Sequence, residues 1–265
     1  MAYSYSFSTA ALFPRTASDS LKLVAQAGFQ FAELMPQCFA ESRESFALEA
    51  EKSGLRVASV HYPLAMFSLL YNASPGMAAE ARSFGTGLVK LCSALQARVL
   101  VVHPHEPAKD PAYRELLEKP IRDNLKALGD ECGAAGITLA VENNPKGPGR
   151  TAEGLLEYIR SLGAGPAAHP MVDTTEAVEA AQDPAEFIRA VNPWHTHLSD
   201  HKGEAKHIPA GQGENDWKAI RSALVDTGYS GVLTLEPLYR FYLDDPVTRL
   251  RGDLEFIRSL MEGAA

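Results

Sequence analysis

Ile137-Thr138-Leu139-Ala140-Val141-Glu142-Asn143-Asn144 places a short apolar run directly after the helix-ending pair Ala135-Gly136 and closes it with a carboxylate and two amides. A run of this length, β-branched and bounded by turn signals, reads as a strand buried on both faces, as in a parallel sheet. Working outward from it, comparable runs occur at Tyr5–Ala10, Gln30–Met35, Val57–Tyr62 and Val99–His103 on one side, and at His169–Asp173, Trp194–Ser199 and Val232–Glu236 on the other. Each is followed by a longer stretch of helical composition, which is the pattern that builds βα units. Glycine followed by an apolar residue ends several helical stretches, as in Ala27-Gly28-Phe29, Ser53-Gly54-Leu55 and Thr227-Gly228-Tyr229. Ser18, Ser74, Asp183 and Asn215 stand where helix-opening side chains can cap free amides. Eight such units with polar strand ends predict an α/β fold, a (β/α)8 TIM barrel formed as a single domain by residues 1–265, in preference to an open flavodoxin-like sheet.

Composition agrees with one large core. The chain has 265 residues, 46% of them hydrophobic, and lacks any run near the roughly 18 apolar residues of a membrane span. Met1 to Ser8 lacks the basic start and apolar run of a secretory signal, so a cytoplasmic location is expected, with no membrane partner. Cys38, Cys92 and Cys132 are too widely spaced for a metal knuckle and are expected as buried free thiols. The net charge of −8 offers no global attraction for nucleic acid, and a small-molecule, carbohydrate-like substrate is favoured. A homo-oligomer is compatible with this composition, and no oligomeric state is specified by it.

The ionisable residues at the strand ends carry the chemistry. Glu33, His61, His103, Glu142, Asp173, His197 and Glu236 each close an apolar run. Any one alone reads as a capped or solvated strand end. Seven in register must neutralise one another, reach solvent or share a cation, because an isolated buried charge is too costly to keep. Mixed carboxylates and imidazoles at one barrel mouth make a divalent metal the simplest common partner: Mn2+ or Mg2+ by the carboxylates, Zn2+ by the imidazoles. His195 lies two residues before His197 and faces the same side of its strand. His105 and His201 fall in loops, and His169 starts a strand at the far end of the barrel. Gly211-Gln212-Gly213 reads as a tight turn before a phosphate cradle, Trp194 and Trp217 as packing residues, and Tyr62, Phe67 and Tyr71 as core or pocket wall.

Val141-Glu142-Asn143-Asn144, Asp173-Thr174-Thr175-Glu176, His197-Leu198-Ser199-Asp200 and the run from His207 to Gly213 followed by Asp216-Trp217 resemble the xylose isomerase-like TIM barrels, which include sugar-phosphate isomerases and epimerases and endonuclease IV. The resemblance spans Glu33 to Glu236. It implies that Glu142, Asp173, His197 and Glu236 bind one metal ion, and that His61 and His103 match extra histidines found in endonuclease IV. Glu176 stands where both endonuclease IV and the ketose 3-epimerases have histidine, Ala205 where endonuclease IV has aspartate, and Gly203 where the epimerases have arginine.

The expected function is therefore a divalent-metal-dependent isomerase or epimerase acting on a small sugar, sugar phosphate or related hydroxy-carbonyl compound through an enediolate. Glu142 and Glu236, three strands apart, would serve as base and acid. His61, His103, Glu176 and His207 are candidates for a second metal or for substrate, and Glu33, Asn143 and Asp200 for substrate binding. Two alternatives stand beside this: a zinc phosphodiesterase acting on abasic DNA, and a barrel that binds metal and metabolite without turnover.

Overall fold

The computed structural model describes residues 3–163 and 167–263. Seven strands alternate with helices in chain order: β1 (Ser4–Ser8), β2 (Phe31–Leu34), β3 (Arg56–His61), β4 (Val99–Val102), β5 (Thr138–Glu142), β6 (Ala168–Asp173) and β7 (His195–Leu198). An antiparallel hairpin, β8 (Asp200–Lys202) and β9 (Ala205–Ile208), follows β7, and β10 (Val232–Leu235) completes the barrel by pairing with both β7 and β1. The eight barrel strands are parallel, and the ring is closed. All eight runs read from the sequence form its staves.

Around the ring lie α1 (Ala17–Ala27), α2 (Ala47–Glu51), α3 (Phe67–Leu70), α4 (Pro75–Leu95), α5 (Pro111–Ala134), α6 (Ala152–Leu162), α7 (Thr174–Glu179), α8 (Pro184–Val191), α9 (Trp217–Asp226) and α10 (Pro246–Glu262). Among the described residues, no helix is long and apolar enough to cross a membrane. Thr16 rather than Ser18 caps α1, accepting the Asp19 amide, while the Ser18 hydroxyl donates to Glu49. Asp183 caps α8, Asp216 rather than Asn215 caps α9, and Ser74 begins α4 without a side-chain bond. Gly28, at φ +97°, ends α1 in the left-handed region that an L side chain resists.

Strand alternation sorts the residues into two shells. Leu100, Val102, Leu139, Val141 and Val172 pack outward against the helices, within the main core. Val99, Val101, Ala140 and Met171 form a small separate cluster inside the barrel. Two residues further along the same strands, the inward positions become His103, Glu142 and Asp173, so the apolar plug ends where the ionisable layer begins. Cys92 and Cys132 are buried, and burial pushes the Cys92 thiol well up and that of Cys132 to about 12. Cys38, expected among them, is exposed on the connection after β2.

Candidate active site

Glu142, Asp173, His197 and Glu236 come from β5, β6, β7 and the residue after β10, four neighbouring staves. One ligand atom from each lies within 4.8 Å of all the others. His197 Nδ1 sits 2.9 Å from Glu142 Oε1 and 2.7 Å from Glu236 Oε2, while its Nε2 lies 2.8 Å from Glu33 Oε1. A proton on Nε2, donated to Glu33, leaves the Nδ1 lone pair facing the group, the arrangement by which a carboxylate fixes a metal-binding imidazole. Glu236 Oε1 accepts the Ser8 hydroxyl at 2.8 Å. Asp173 Oδ1 accepts the amides of Thr175 and Glu176 at 2.6 and 2.9 Å, so the same carboxylate caps α7.

Two oxygens remain. Asp173 Oδ2 is buried and has no hydrogen-bond partner, and Glu142 Oε2 is buried with only the imidazoles of His103, at 2.9 Å, and His61, at 3.7 Å, beside it. Buried acceptors are nearly always satisfied, and a charged one left alone is destabilising. Three carboxylates and one imidazole with two such oxygens turned to a common point are compatible with a divalent metal site. Without a cation, protons balance the same carboxylates, and a metal would displace the one on His197 Nδ1. Burial raises the Asp173 carboxyl to about 7, with Glu142 and Glu176 adding to the shift and His207 and His197 opposing it. Burial alone would lower His197, but Glu236, Glu33 and Glu142 outweigh it and hold the imidazole well above its usual range.

His61 and His103 end β3 and follow β4. Their Nε2 atoms are 3.2 Å apart and lie 3.7 and 2.9 Å from Glu142 Oε2. His61 Nδ1 is 2.7 Å from the Tyr62 carbonyl, so a proton there again turns the Nε2 lone pair inward. These three residues form a second group able to hold a cation, sharing Glu142 with the first. Tyr62, Phe67 and Tyr71 stack in sequence beside them, and the Tyr71 hydroxyl donates to the His103 carbonyl.

Three residues expected to touch substrate lie elsewhere. Glu33 pairs with Ser59 in the β2–β3 register, two residues short of His61, and so sits one layer below the mouth, fully buried between His195, His197 and Ser59. His195, two residues before His197, occupies that same lower layer. Both ends of the Asn143 amide bond the backbone of Asp173, bracing β5 to β6. Asp200 accepts five donors: the amides of His201, Gly211, Gly213 and Asn215 and the Trp217 indole. It organises the loop after β9, and a Cβ at Gly213 would lie 2.1 Å from the His201 carbonyl, which explains the glycine there. His105 is buried between Tyr158 and Glu118, away from the site, with its pKa lowered by burial; His201 meets Asn215; His169 stacks on Trp194.

Above the quartet opens a cavity of about 440 Å³. His61, His103, Glu142, Asp173, Glu176, His207 and Glu236 form its base, with His207 Nε2 3.4 Å from Glu176. His207 holds φ at +47°, an uncommon conformation for a side chain of its size, and Asp173 and Glu176 raise it to about 9 against the effect of burial. Ser8 and the apolar walls escaped sequence reasoning. Ser8 ends a strand as the charged residues do, but a hydroxyl carries no comparable signal; the walls come from loops whose apolar residues show no periodicity.

Fold and site together define a parallel α/β barrel with a candidate divalent-metal centre at the carboxyl ends of its strands. The chain belongs to the xylose isomerase-like TIM barrel family, whose model matches residues 21–260. An uncharacterised protein of Methanocaldococcus jannaschii is 25% identical over 190 residues, a match spanning 65% of this chain and 66% of that relative, slightly under two thirds. The chain superposes with a TM-score of 0.79 on D-psicose 3-epimerase from Clostridium cellulolyticum H10, solved with D-tagatose, at 16% identity over 97% of this chain and 99% of the other. It superposes at 0.77 on the IolI protein with a bound zinc atom, at 17% identity over 98% of both chains.

Proposed function

We propose that the protein is a divalent-metal-dependent isomerase or epimerase of a small hydroxy-carbonyl compound, a sugar or sugar derivative. The observation that carries this reading is the pairing of an apparent cation site with two carboxylates, Glu142 and Glu236, on staves three apart at the base of one cavity. Glu142, Asp173, His197 and Glu236 would hold the ion, which supplies Lewis-acid stabilisation of the enediolate charge. Glu142 and Glu236 then move the proton at the carbon beside the carbonyl, one removing it and the other returning it from the opposite side. Ser8 holds the Glu236 carboxylate in place through Oε1, and Glu33 fixes the orientation of His197. The neighbours whose names include 3-epimerase and the zinc-bearing IolI protein support the reading by likeness of fold.

The test is wash-in of deuterium from solvent into a panel of ketoses and aldoses by protein loaded with manganese, zinc or magnesium. Exchange that disappears with EDTA is the expected result; none across the panel overturns the proposal. A second reading, a zinc phosphodiesterase, is favoured by one observation: His61, His103 and Glu142 form a further group able to hold a cation. Cleavage of abasic duplex DNA by the same preparation, without exchange, would establish it in place of the first. Binding of metal and ketose with neither reaction would establish a non-catalytic barrel.

A further inference from the structure

The cavity has two chemistries. Its carboxylates and imidazoles lie at the base, while Phe13, Met35, Leu64, Ala65, Leu238 and the ring of Tyr239 form the walls, where the Gln37 amide and the Tyr239 hydroxyl are the polar groups. Phe13 and Tyr239 meet edge to face at 5.4 Å and are 46% and 39% exposed at the rim, so the apolar surface continues to the opening. No lysine or arginine lines the cavity among the described residues. Of the cations nearest along the chain, Lys206 pairs with Glu179 at 2.6 Å, Arg15 donates one nitrogen to the Leu243 carbonyl and keeps the other buried outside the cavity lining, and Arg240 lies 4.9 Å from the Phe241 ring. The loop glycines offer nothing to an anion either, since the amides of Gly211 and Gly213 both donate to Asp200. A phosphate needs such amides or a cationic partner, and the imidazoles at the base are already spent on carboxylates, His207 on Asp173 and Glu176 and His61 and His103 on Glu142, so a phosphate there would meet an excess of negative charge from Glu142, Asp173, Glu176 and Glu236. A hydroxylated tail would exchange its water for hydrocarbon walls with few groups to bond.

We infer that the substrate is neutral and two-ended: a hydroxy-carbonyl head with adjacent oxygens at the base and an apolar tail, methyl or short alkyl as in a deoxy sugar, against Leu64, Leu238 and Tyr239. The head rests on the isomerase reading; the tail is read from the walls alone. Sugar phosphates, which the proton-transfer chemistry alone would admit, are disfavoured by the carboxylates at the base and by walls without a lysine or arginine.

Three ketoses with one head and different tails test this: 6-deoxy-D-fructose, D-fructose and D-fructose 6-phosphate, titrated calorimetrically into manganese-loaded protein. The 6-deoxy compound is expected to bind roughly tenfold more tightly than fructose, and the phosphate more weakly than fructose. In Leu238→Lys, a cation placed in the wall reduces the penalty on the phosphate by about tenfold and weakens the deoxy compound. A phosphate that binds wild-type protein as well as fructose, a deoxy compound that binds no better, or failure of all three to bind overturns the inference. Deuterium exchange is read in the same samples. The expected order of binding without exchange overturns the isomerase reading and leaves the tail assignment standing; exchange with the order reversed overturns the tail assignment alone.

Discussion

Asp200 and the pair Glu142 and Asp173 are buried carboxylates whose oxygens are used in opposite ways. Both oxygens of Asp200 are saturated, by four backbone amides and an indole. Asp173 keeps one buried oxygen without a hydrogen bond, and Glu142 keeps one that meets only the His103 and His61 imidazoles of the site itself. Asp253 stands between these extremes, with a single donor, the Tyr242 hydroxyl at 2.5 Å. Burial is common to all of them, so it does not distinguish a structural carboxylate from a reactive one; the count of unused lone pairs does. A saturated carboxylate holds a loop together, whereas one with a spare oxygen is reserved for something that arrives from outside.

The largest effect that would break this contrast is at the base of the cavity. Glu236→Gln is expected to reduce deuterium exchange by about 10³-fold or more. The double change Glu142→Gln with Glu236→Gln should also abolish retention of one manganese or zinc ion per chain, read by elemental analysis. A double variant that holds its metal as well as wild type would show that the spare oxygens serve no cation. Asp200→Asn should behave differently: a loss of about 3 kcal/mol in chemical denaturation, since an amide nitrogen is forced among donors, with metal still bound by whatever fraction is folded. Metal loss without destabilisation would reverse the assignment of the two carboxylates.

Glu33→Gln sharpens the comparison from beneath. Removing the charge that fixes His197 should weaken metal binding about 10- to 100-fold in a metal titration while the base of the cavity keeps its four donors. Unchanged affinity would leave Glu33 as packing. The last effect concerns Asp253, whose carboxyl burial raises from its ordinary 3.8 to about 7, against the Tyr242 and Arg249 contributions. The native state therefore binds the extra proton between these values, and its stability falls as pH rises through that window. Asp253→Asn removes the dependence, so its stability relative to wild type should improve on going from pH 4 to pH 8 by up to about 4 kcal/mol. A constant difference across that range would contradict the direction given.

The barrel was legible because seven of its eight staves announce themselves twice, by an apolar run and by the ionisable residue ending it, as in Leu139-Ala140-Val141-Glu142. The ionisable strand ends were legible for the same reason, whereas the choice of Glu142, Asp173, His197 and Glu236 among them came from the resemblance to the xylose isomerase-like barrels. Depth was not legible. Glu33 was read as ending its run as His61 does, yet β2 continues through Leu34 and Glu33 pairs with Ser59, two residues short of His61, and pairing offsets leave no mark in a single chain. The same limit applied to Asn143 and Asp200, whose side chains are spent on backbone groups that only the fold brings near. The walls were illegible for another reason. Phe13, Leu64 and Leu238 sit in loops, where an apolar residue reads as incidental until three loops meet.

Asp173 shows how narrow the room for substitution is at such a position. One of its oxygens starts α7 and the other faces the cavity, so a single side chain holds two unrelated occupations. Asparagine can keep the helix start but is a poor anionic ligand; glutamate keeps the charge but reaches past the amides; alanine keeps neither. Every replacement fails at one task or the other, and a mutational scan read for abundance and for metal retention separately should sort them into those two columns, with aspartate alone in both.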